Sequence, residues 1–238
     1  MNMKTVILCG GRGTRIMEET KVIPKPLVKI GSKPILWHII KYFYSFGYSD
    51  FILASGYKSK IIEEYFKKNK INNCNIKVIN TGLNTLTGGR LLRLKKYFKK
   101  DETFMMTYGD GVSNINLDKL LKFHNKQKKI STLTAVRPPV RFGELKINFK
   151  NLVVSFIEKN QSSANWINGG FFVLNSRVFN FIKDDKTIFE REPISKLAKS
   201  KELNAYKHFK FWQCMDTLRD KILLNKIWKT KKAPWKKW

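Results

Sequence analysis

The sequence predicts an α/β protein of three layers, in which a Rossmann-like, mostly parallel sheet lies between two layers of helices. In the first half of the chain, short apolar runs alternate with segments that repeat apolar residues every three or four positions. This alternation is typical of parallel strands joined by crossover helices, and such sheets bind ligands at the carboxyl ends of their strands. The chain has 238 residues, 42% of them hydrophobic, which is enough to bury one sizeable core. We therefore expect a single domain over residues 1–238.

The elements of this sheet are expected in a regular order. A strand over Thr5–Cys9 leads into a glycine-rich segment. A helix with Pro34 near its first turn follows and ends at Gly47, because proline is tolerated at a helix start and glycine often terminates a helix. The next segments alternate, and we predict strand Phe51–Ser55, helix Ser59–Lys68, strand Asn75–Asn80, helix Gly89–Lys99, strand Phe104–Tyr108, helix Leu117–Lys128 and strand Ser131–Val136.

After Val136 the pattern changes, since short alternating runs separated by turns replace the strand–helix pairs. These runs predict a smaller, more antiparallel region that lies across the first half of the molecule. Its expected strands are Glu144–Phe149, Leu152–Glu158 and Ile167–Leu174. The remaining expected elements are helices over Ser176–Ile182 and Glu190–Lys199, short segments at Asn204–Tyr206 and Phe211–Met215, and a last helix over Leu218–Trp228.

The chain is strongly basic, with 47 lysines and arginines against 18 aspartates and glutamates, a formal charge of +29. Such a charge ordinarily indicates a polyanionic partner such as nucleic acid, or an anionic membrane. The lysines are spread along the whole chain, however, and a lysine bias inherited from the coding sequence explains the charge equally well. We expect neither a membrane nor a nucleic-acid partner. The charge should instead concentrate an anionic substrate near the protein, an effect that weakens with salt.

The cysteines and the amino terminus indicate the compartment. Cys9, Cys74 and Cys214 are odd in number and far apart, without the paired spacing of zinc or redox sites. The residues before the first glycine are too few for a secretory signal, and no run of 18 apolar residues occurs. We therefore predict a soluble, cytoplasmic protein.

The segment Gly10-Gly11-Arg12-Gly13-Thr14-Arg15, followed by Pro24-Lys25-Pro26, is predicted to bind phosphate. Glycines after a strand let the backbone turn sharply and present bare N–H groups to an anion, and the arginines and the lysine add positive charge. The dinucleotide fingerprint is excluded, because Ile16 stands where its third glycine belongs and no acidic residue follows at the required distance. A Walker loop is excluded as well, because no Gly-Lys-Ser/Thr follows Gly10.

The same two motifs resemble the signature of the sugar-1-phosphate nucleotidyltransferases, which join a nucleoside triphosphate to a sugar phosphate. The resemblance implies the nucleotide-diphospho-sugar transferase type of fold, with Mg²⁺ as cofactor. It also implies that Arg15 and Lys25 are catalytic cations that contact the triphosphate, with Lys25 at the α-phosphate. The prolines beside Lys25 restrict its backbone, which suits a preorganised contact, whereas a rigid solvated loop is the alternative.

Two aspartates are candidate metal ligands, since Mg²⁺ prefers a few oxygen ligands and keeps several waters. Asp110 ends an apolar strand between two glycines, and its alternative role is that of a turn residue. Asp216 precedes the last predicted helix, and its alternative role is that of a helix N-cap. The resemblance implies that Asp110 and Asp216 together hold the metal.

Further motifs look like those of one branch of that family, the glucose-1-phosphate cytidylyltransferases, and the similarity runs from Met3 to Trp238. The motifs are Thr87-Gly88-Gly89-Arg90, Tyr108–Val112, Arg141-Phe142-Gly143, Glu158-Lys159, Ile167–Val173, Glu190–Pro193, Trp212–Asp220 and Ala233–Lys236. The resemblance implies that the substrates are CTP, or another nucleoside triphosphate, and a sugar 1-phosphate, and we expect a homo-oligomer.

The resemblance also implies two sets of binding residues. The nucleotide-binding set is Leu8, Gly10, Gly11, Arg12, Gly13, Thr14, Arg15, Lys25, Thr87, Gly88, Arg90 and Asp110, with Gly89 nearby. The sugar-phosphate-binding set is Tyr108, Gly109, Glu158, Lys159, Asn168 and Gly169. For some of them the alternative is a structural role. In that case Glu158 and Lys159 would form an exposed ion pair, and residues 168–170 would form a bulge. Arg90 is expected on the first turn of a helix, where an anion also fits the helix dipole.

The chain departs from the pattern of this branch at three places. Asn160 and Cys214 stand where the branch usually has proline, and the stretch between Phe51 and Thr87 is shorter than expected. Base preference and oligomeric state are therefore less firmly predicted than the reaction class. The alternatives are a thymidylyl- or uridylyltransferase, a cytidylyltransferase for another sugar, and a non-catalytic regulatory protein of the same fold.

Overall fold

The structure is a computed structural model that describes residues 3–16, 20–139, 143–158 and 165–238. Its strands in the first half are β1 Lys4–Leu8, β2 Lys29–Ile30, β3 Lys33–Pro34, β4 Asp50–Ser55, β5 Asn75–Asn80, β6 Thr103–Tyr108 and β7 Gly111–Ser113. Those in the second half are β8 Ser131–Val136, β9 Glu144–Ile147, β10 Val153–Ile157, β11 Ile167–Asn175, β12 Leu203–His208 and β13 Trp212–Cys214.

Six α-helices occur among the described residues. They are α1 Ile35–Tyr44, α2 Ser59–Lys68, α3 Thr87–Arg93, α4 Leu117–Gln127, α5 Glu192–Lys199 and α6 Leu218–Lys229. Short 3₁₀ turns cover Thr14–Ile16, Lys25–Leu27, Lys95–Tyr97 and Ser176–Phe181.

The centre of the molecule is a seven-stranded sheet in the order β12-β8-β11-β6-β1-β4-β5. Six of these strands run parallel, and only β11 runs antiparallel to its two neighbours, β6 and β8. The strands β9 and β10 form a separate two-stranded sheet, and β7 pairs with β13. The parallel strands β1, β4 and β6 therefore end along one edge, where the glycine-rich segment begins.

Helices cover both faces of the sheet, so the protein has three layers. Alternate side chains of β1 enter different cores: Ile7 packs with α1 on one face, whereas Val6 and Leu8 pack with α3 on the other. Both cores are fully buried at their centres, as shown by the 0% exposure of Ile7 and Val6. The three-layer fold with a mostly parallel sheet is thus confirmed.

The observed elements differ from the predictions in a few places. The predicted helix over 89–99 is α3 from Thr87 followed by a 3₁₀ turn, and the predicted helix over 176–182 is a 3₁₀ turn over Ser176–Phe181. The predicted helix over 190–199 begins at Glu192, where Pro193 occupies the first turn. The predicted antiparallel region is wrong in one respect: β11 lies inside the main sheet and pairs with both β6 and β8.

The end of the chain packs into the core. Trp235 is completely buried and stacks on Phe211 and Trp228. Its indole nitrogen donates to Nδ1 of His38 over 3.5 Å, and Nε2 of His38 hydrogen-bonds the carbonyl of Ile30 over 2.9 Å. The tail thus belongs to the fold. Among the described residues, no helix is long and apolar enough to span a membrane.

Candidate active site

The glycine-rich segment follows β1 and lies where three parallel strands end. The amide of Cys9 donates to the carbonyl of Ala54, and the amide of Gly109 donates to the carbonyl of Leu8, each over 3.0 Å. These bonds hold the ends of β1, β4 and β6 side by side, and a cavity of about 540 Å³ opens there. Its lining residues are Leu8–Arg15, Lys25, Pro26, Leu83–Thr87, Arg90 and Tyr108–Asp110.

Gly13 shows why this segment requires glycine. Its φ angle is +67°, in the region that residues with a side chain rarely adopt. A Cβ atom on Gly13 would lie 2.8 Å from Cβ of Lys25 and 3.0 Å from Cγ2 of Thr20, closer than ordinary van der Waals contact. The absence of a side chain therefore lets the backbone pass directly beside Lys25.

Lys25 is the centre of a charged cluster drawn from distant parts of the sequence. Its Nζ atom donates to Oδ2 of Asp110 over 2.6 Å and to Oδ1 of Asp216 over 2.5 Å. Nη1 of Arg15 donates to the other oxygen of Asp216 over 2.6 Å. The side chain of Lys25 is 11% exposed and that of Arg15 is 73% exposed. Lys25 is therefore fixed in the wall of the cavity, whereas Arg15 lies at its opening.

The charges in this cluster stabilise one another. Burial alone would lower the pKa of Lys25, but the charge of Asp110 and the hydrogen bonds to both carboxylates outweigh it and raise that pKa. Burial would likewise raise the pKa of Asp216, but the hydrogen bond from Lys25 and the charges of Lys25 and Arg15 lower it. Lys25 and Asp216 are consequently both ionised at neutral pH.

The alternative roles of the two aspartates are now distinguishable. Thr217, not Asp216, is the N-cap of α6, and it forms a capping box with Asp220. The carboxylate of Asp216 is thus available to Lys25. Asp110 does lie in the turn between β6 and β7, and its carboxylate nevertheless points to Lys25.

Arg90 lines the cavity, but its donors are directed at the protein backbone. Nη2 donates to the carbonyl of Gly10 over 2.9 Å, and Nη1 donates to the carbonyls of Ser55 and Gly82 over 3.1 Å and 2.7 Å. Nη1 also donates to Oγ1 of Thr81 over 2.9 Å. Arg90 is 5% exposed, and a Cβ atom on Gly10 would lie 2.3 Å from it. Arg90 therefore fastens the glycine-rich segment to the neighbouring strand ends, and its contact with the nucleotide stays a prediction.

Gly88 and Gly89, which were expected near the nucleotide, contact the segment around Thr187 instead. Their amides donate to the carbonyl of Thr187 over 2.9 Å and 3.3 Å, and a Cβ atom on Gly89 would lie 2.4 Å from the carbonyl oxygen of Asp185. The start of α3 is thus occupied by the segment before α5 and is not open to an anion. Thr87, by contrast, lines the cavity.

The sugar-side residues are only partly brought together. Tyr108 and Gly109 line the cavity. Oδ1 of Asn168 accepts from the amide of Gly170 over 2.8 Å, and the carbonyl of Gly169 accepts from the indole of Trp212 over 2.7 Å. Glu158 directly follows β10 of the separate small sheet, and Lys159, like Arg141 and Phe142, lies outside the described residues.

Glu190 contacts two residues that line the cavity, although it was not among the predicted site residues. Its Oε2 accepts from Oγ1 of Thr87 over 2.6 Å, and its Oε1 accepts a short hydrogen bond from the hydroxyl of Tyr108. The sequence contained one signal, since Glu190 begins a stretch that resembles the cytidylyltransferases. Only the fold shows that the stretch reaches the cavity.

A comparison with known proteins decides the relationship. The profile of the nucleotidyl transferase family matches residues 4–225, which is most of the chain. The chain belongs to the nucleotidyl transferase family. The predicted family and enzyme class are therefore confirmed.

Relatives of this nucleotidyl transferase match it over its whole length. It is 46% identical to the glucose-1-phosphate cytidylyltransferase of Salmonella typhimurium, over 99% of this chain and 100% of that protein. The probable glucose-1-phosphate cytidylyltransferase of Bacillus subtilis is 43% identical with the same coverage. The alignments span 257 positions, more than the 238 residues of this chain, so these relatives contain residues that it lacks.

Solved structures share the fold. The crystal structure of HddC from Yersinia pseudotuberculosis, complexed with GMP-PN, superimposes with a TM-score of 0.76 at 25% identity. The match covers 95% of this chain and 99% of that one.

Proposed function

We propose that this nucleotidyl transferase joins CTP and α-D-glucose 1-phosphate to give CDP-glucose and pyrophosphate. The observation that carries the proposal is the cavity at the strand ends, where the glycine-rich segment, Lys25, Asp110 and Asp216 meet. The identity of 46% to a cytidylyltransferase over the full length supports the choice of substrates.

The reaction brings two anions together, and the cavity has the charges that this requires. An oxygen of the sugar phosphate attacks the α-phosphorus in line, a new P–O bond forms, and the bond to the β-phosphate breaks to release pyrophosphate. Lys25 is held beside the glycine-rich segment and neutralises charge that develops at the α-phosphate. Arg15, exposed at the opening, binds the outer phosphates. Catalysis of this kind consists mostly of positioning and of charge neutralisation.

Asp110 and Asp216 would hold a divalent cation, which we propose to be Mg²⁺. Among the described residues, no group of three or more His, Cys, Asp or Glu side chains is arranged to hold a metal. The two carboxylates nevertheless meet at one point, now taken by Nζ of Lys25. Magnesium is commonly bound by one or two carboxylates together with substrate phosphates, so this pair fits the ion. When bound, the ion would neutralise phosphate charge.

A pyrophosphate-release assay with glucose 1-phosphate and each of CTP, UTP, dTTP and GTP tests the choice of base. We expect the highest kcat/KM with CTP. GTP belongs in the set because the similar structure of HddC contains a guanine nucleotide analogue. An equal or higher kcat/KM with another triphosphate would exclude the cytidine assignment, and binding without turnover of any triphosphate would favour a regulatory protein of the same fold.

The metal assignment is tested by Asp110→Asn and Asp216→Asn, which keep the side-chain volume and remove one charge each. We expect Mg²⁺-dependent turnover to fall by about 100-fold or more, because a group that neutralises the transition state is lost. Asp50→Asn is a matched control, since Asp50 begins β4 at the opposite end of the strand and its contact with Asn75 can persist. Normal turnover of the Asp110→Asn variant would refute the assignment.

A further inference from the structure

Glu190 connects the two halves of the cavity through its carboxylate. One oxygen accepts from Thr87, a residue of the predicted nucleotide-binding set, and the other accepts from Tyr108, a residue of the predicted sugar-phosphate-binding set. Thr87 begins α3 and Tyr108 ends β6, so the bridge joins a helix to a strand of the main sheet. We propose that Glu190 is a positioning residue that fixes the distance between the nucleotide and the sugar phosphate, an inference that rests on the proposed function.

The nucleotide end of this bridge is held rigidly. The hydroxyl of Thr87 donates to Glu190 and accepts from the amide of Phe189 over 3.0 Å, so its orientation is set by two partners. The amide of Leu86, in the cavity wall, donates to the carbonyl of Asp185 over 2.8 Å. Arg93 and Asp185 form an ion pair in the same region. These contacts fasten the segment 185–190 to the cavity wall over 83–87.

The sugar-phosphate end is held through the ring of Tyr108. A Cβ atom on Gly170 would lie 2.6 Å from Cδ2 of Tyr108, so the ring packs directly on the backbone of β11. The ring also makes an edge contact with Phe172 at 6.1 Å between centroids. The hydroxyl of Tyr108 interacts with Asn168 as well as with Glu190. Both the ring and the hydroxyl of Tyr108 are thus held in place.

The functional consequence follows from the geometry of an in-line attack. The two substrates must lie with the attacking oxygen behind the α-phosphorus, and small misplacement of one reactant lowers the rate strongly. Glu190 connects Thr87, in the cavity wall on the nucleotide side, to Tyr108, which contacts Asn168 on the sugar side. Removing its carboxylate leaves both ends in place but frees them to move relative to each other.

Steady-state kinetics of Glu190→Ala tests this role, with the triphosphate and sugar phosphate that the wild-type protein uses best. We expect kcat to fall by about 10- to 100-fold and the KM values of both substrates to rise, as expected for lost positioning. Glu190→Gln should recover much of kcat, because its amide oxygen accepts from one hydroxyl while its NH2 group donates to the other, without the charge. Glu192→Ala is the matched control, because Glu192 lies two residues away, is 54% exposed and forms an ion pair with Lys196.

Single and combined variants distinguish positioning from a general structural role. Thr87→Val should raise mainly the KM of the triphosphate, and Tyr108→Phe mainly the KM of the sugar phosphate. When combined with Glu190→Ala, each of these variants should change the kinetic parameters little further, because the effects of variants that interrupt one network are not additive. These two variants also test the role if Glu190→Ala does not fold.

Three kinetic results would contradict the positioning role of Glu190. Kinetics of Glu190→Ala equal to those of Glu192→Ala, or fully additive effects of Thr87→Val and Tyr108→Phe on it, would overturn the role of Glu190. Loss of activity in both Glu190→Ala and Glu190→Gln would also overturn it, since it would indicate a requirement for the charge itself. If the wild-type protein turned over no pair of substrates, the proposed function would be the part that failed.

Discussion

At the scale of single residues, the site depends on glycines as well as on charged side chains. Gly13 has a left-handed backbone and passes within contact distance of Lys25, so a methyl group there would strain the loop and displace the lysine. Gly11 is in the same segment, yet a Cβ atom on it would meet nothing within 4 Å. Two neighbouring glycines therefore have different requirements.

Gly13→Ala should lower the free energy of unfolding by about 1–3 kcal/mol, the usual cost of a strained backbone position. Gly11→Ala should change it by less than about 0.5 kcal/mol, as is common for surface substitutions. Urea denaturation followed by circular dichroism measures both. Equal stabilities of the two variants would show that the conformation of Gly13 imposes no strain.

At the scale of elements, Arg90 joins pieces of three connections. Arg90 lies in the first turn of α3, and its guanidinium donates to three backbone carbonyls. Gly10 follows β1, Ser55 ends β4, and Gly82 follows β5. A planar fork with five donors can satisfy several carbonyls at once, whereas lysine offers a single ammonium group. The edge of the sheet that forms the cavity is thus held from within.

Arg90→Lys should therefore lower the free energy of unfolding by about 2 kcal/mol, because buried carbonyls lose their donors. Arg93→Lys is the matched control on the same helix: Arg93 is 45% exposed and pairs with Asp185, and exposed pairs contribute roughly 0–1 kcal/mol. Urea denaturation compares the two. A larger effect of Arg93→Lys would contradict the role assigned to Arg90.

The elements were largely predictable, and the site was predictable only in part. The predicted bounds of α2, β5 and β8 agree with those observed; α2 buries Ile62 and Phe66 on one face, and β5 largely alternates exposed with half-buried residues. Periodicity did not show that β11 enters the main sheet, since strand pairing depends on distant partners. Likewise the motif around Gly88 was recognised, but sequence alone did not show that its amides bind Thr187. Glu190 was missed as a site residue because its partners are 103 and 82 residues away.

At the scale of the whole molecule, two buried histidines connect the layers and make stability depend on pH. His38, on α1, bonds Ile30 and accepts from Trp235, and His124, on α4, bonds Thr132 of β8 over 2.9 Å. Burial lowers the pKa of each to about 4 from the ordinary value of 6.5. Between about pH 4 and pH 6.5 both are therefore mostly neutral in the folded protein and mostly charged in the unfolded chain.

The sign of the effect follows from proton binding. Between about pH 6.5 and pH 4 the unfolded state binds more protons than the folded state, so stability is complete above that range and falls as the pH falls through it. Each histidine should contribute a slope of up to about 1.4 kcal/mol per pH unit. Asp216 also has a lowered pKa, but its loss of stability lies below its ordinary value of 3.8. His208 also has a pKa that is lowered by burial, so all three histidines act in the same direction above about pH 4.5.

Urea denaturation at intervals from pH 7.5 to pH 4.5 should show this decline, and His124→Gln should reduce the slope by about one proton. Glutamine retains a donor and an acceptor for Thr132 but does not titrate, so the variant removes the charge of His124 while keeping a polar side chain that can bond Thr132. A wild-type stability that is constant across this range would exclude the histidines as the cause. An unchanged slope in His124→Gln would assign the decline to His38, which is enclosed by Trp235 and Trp228, and to His208, whose pKa is also lowered by burial.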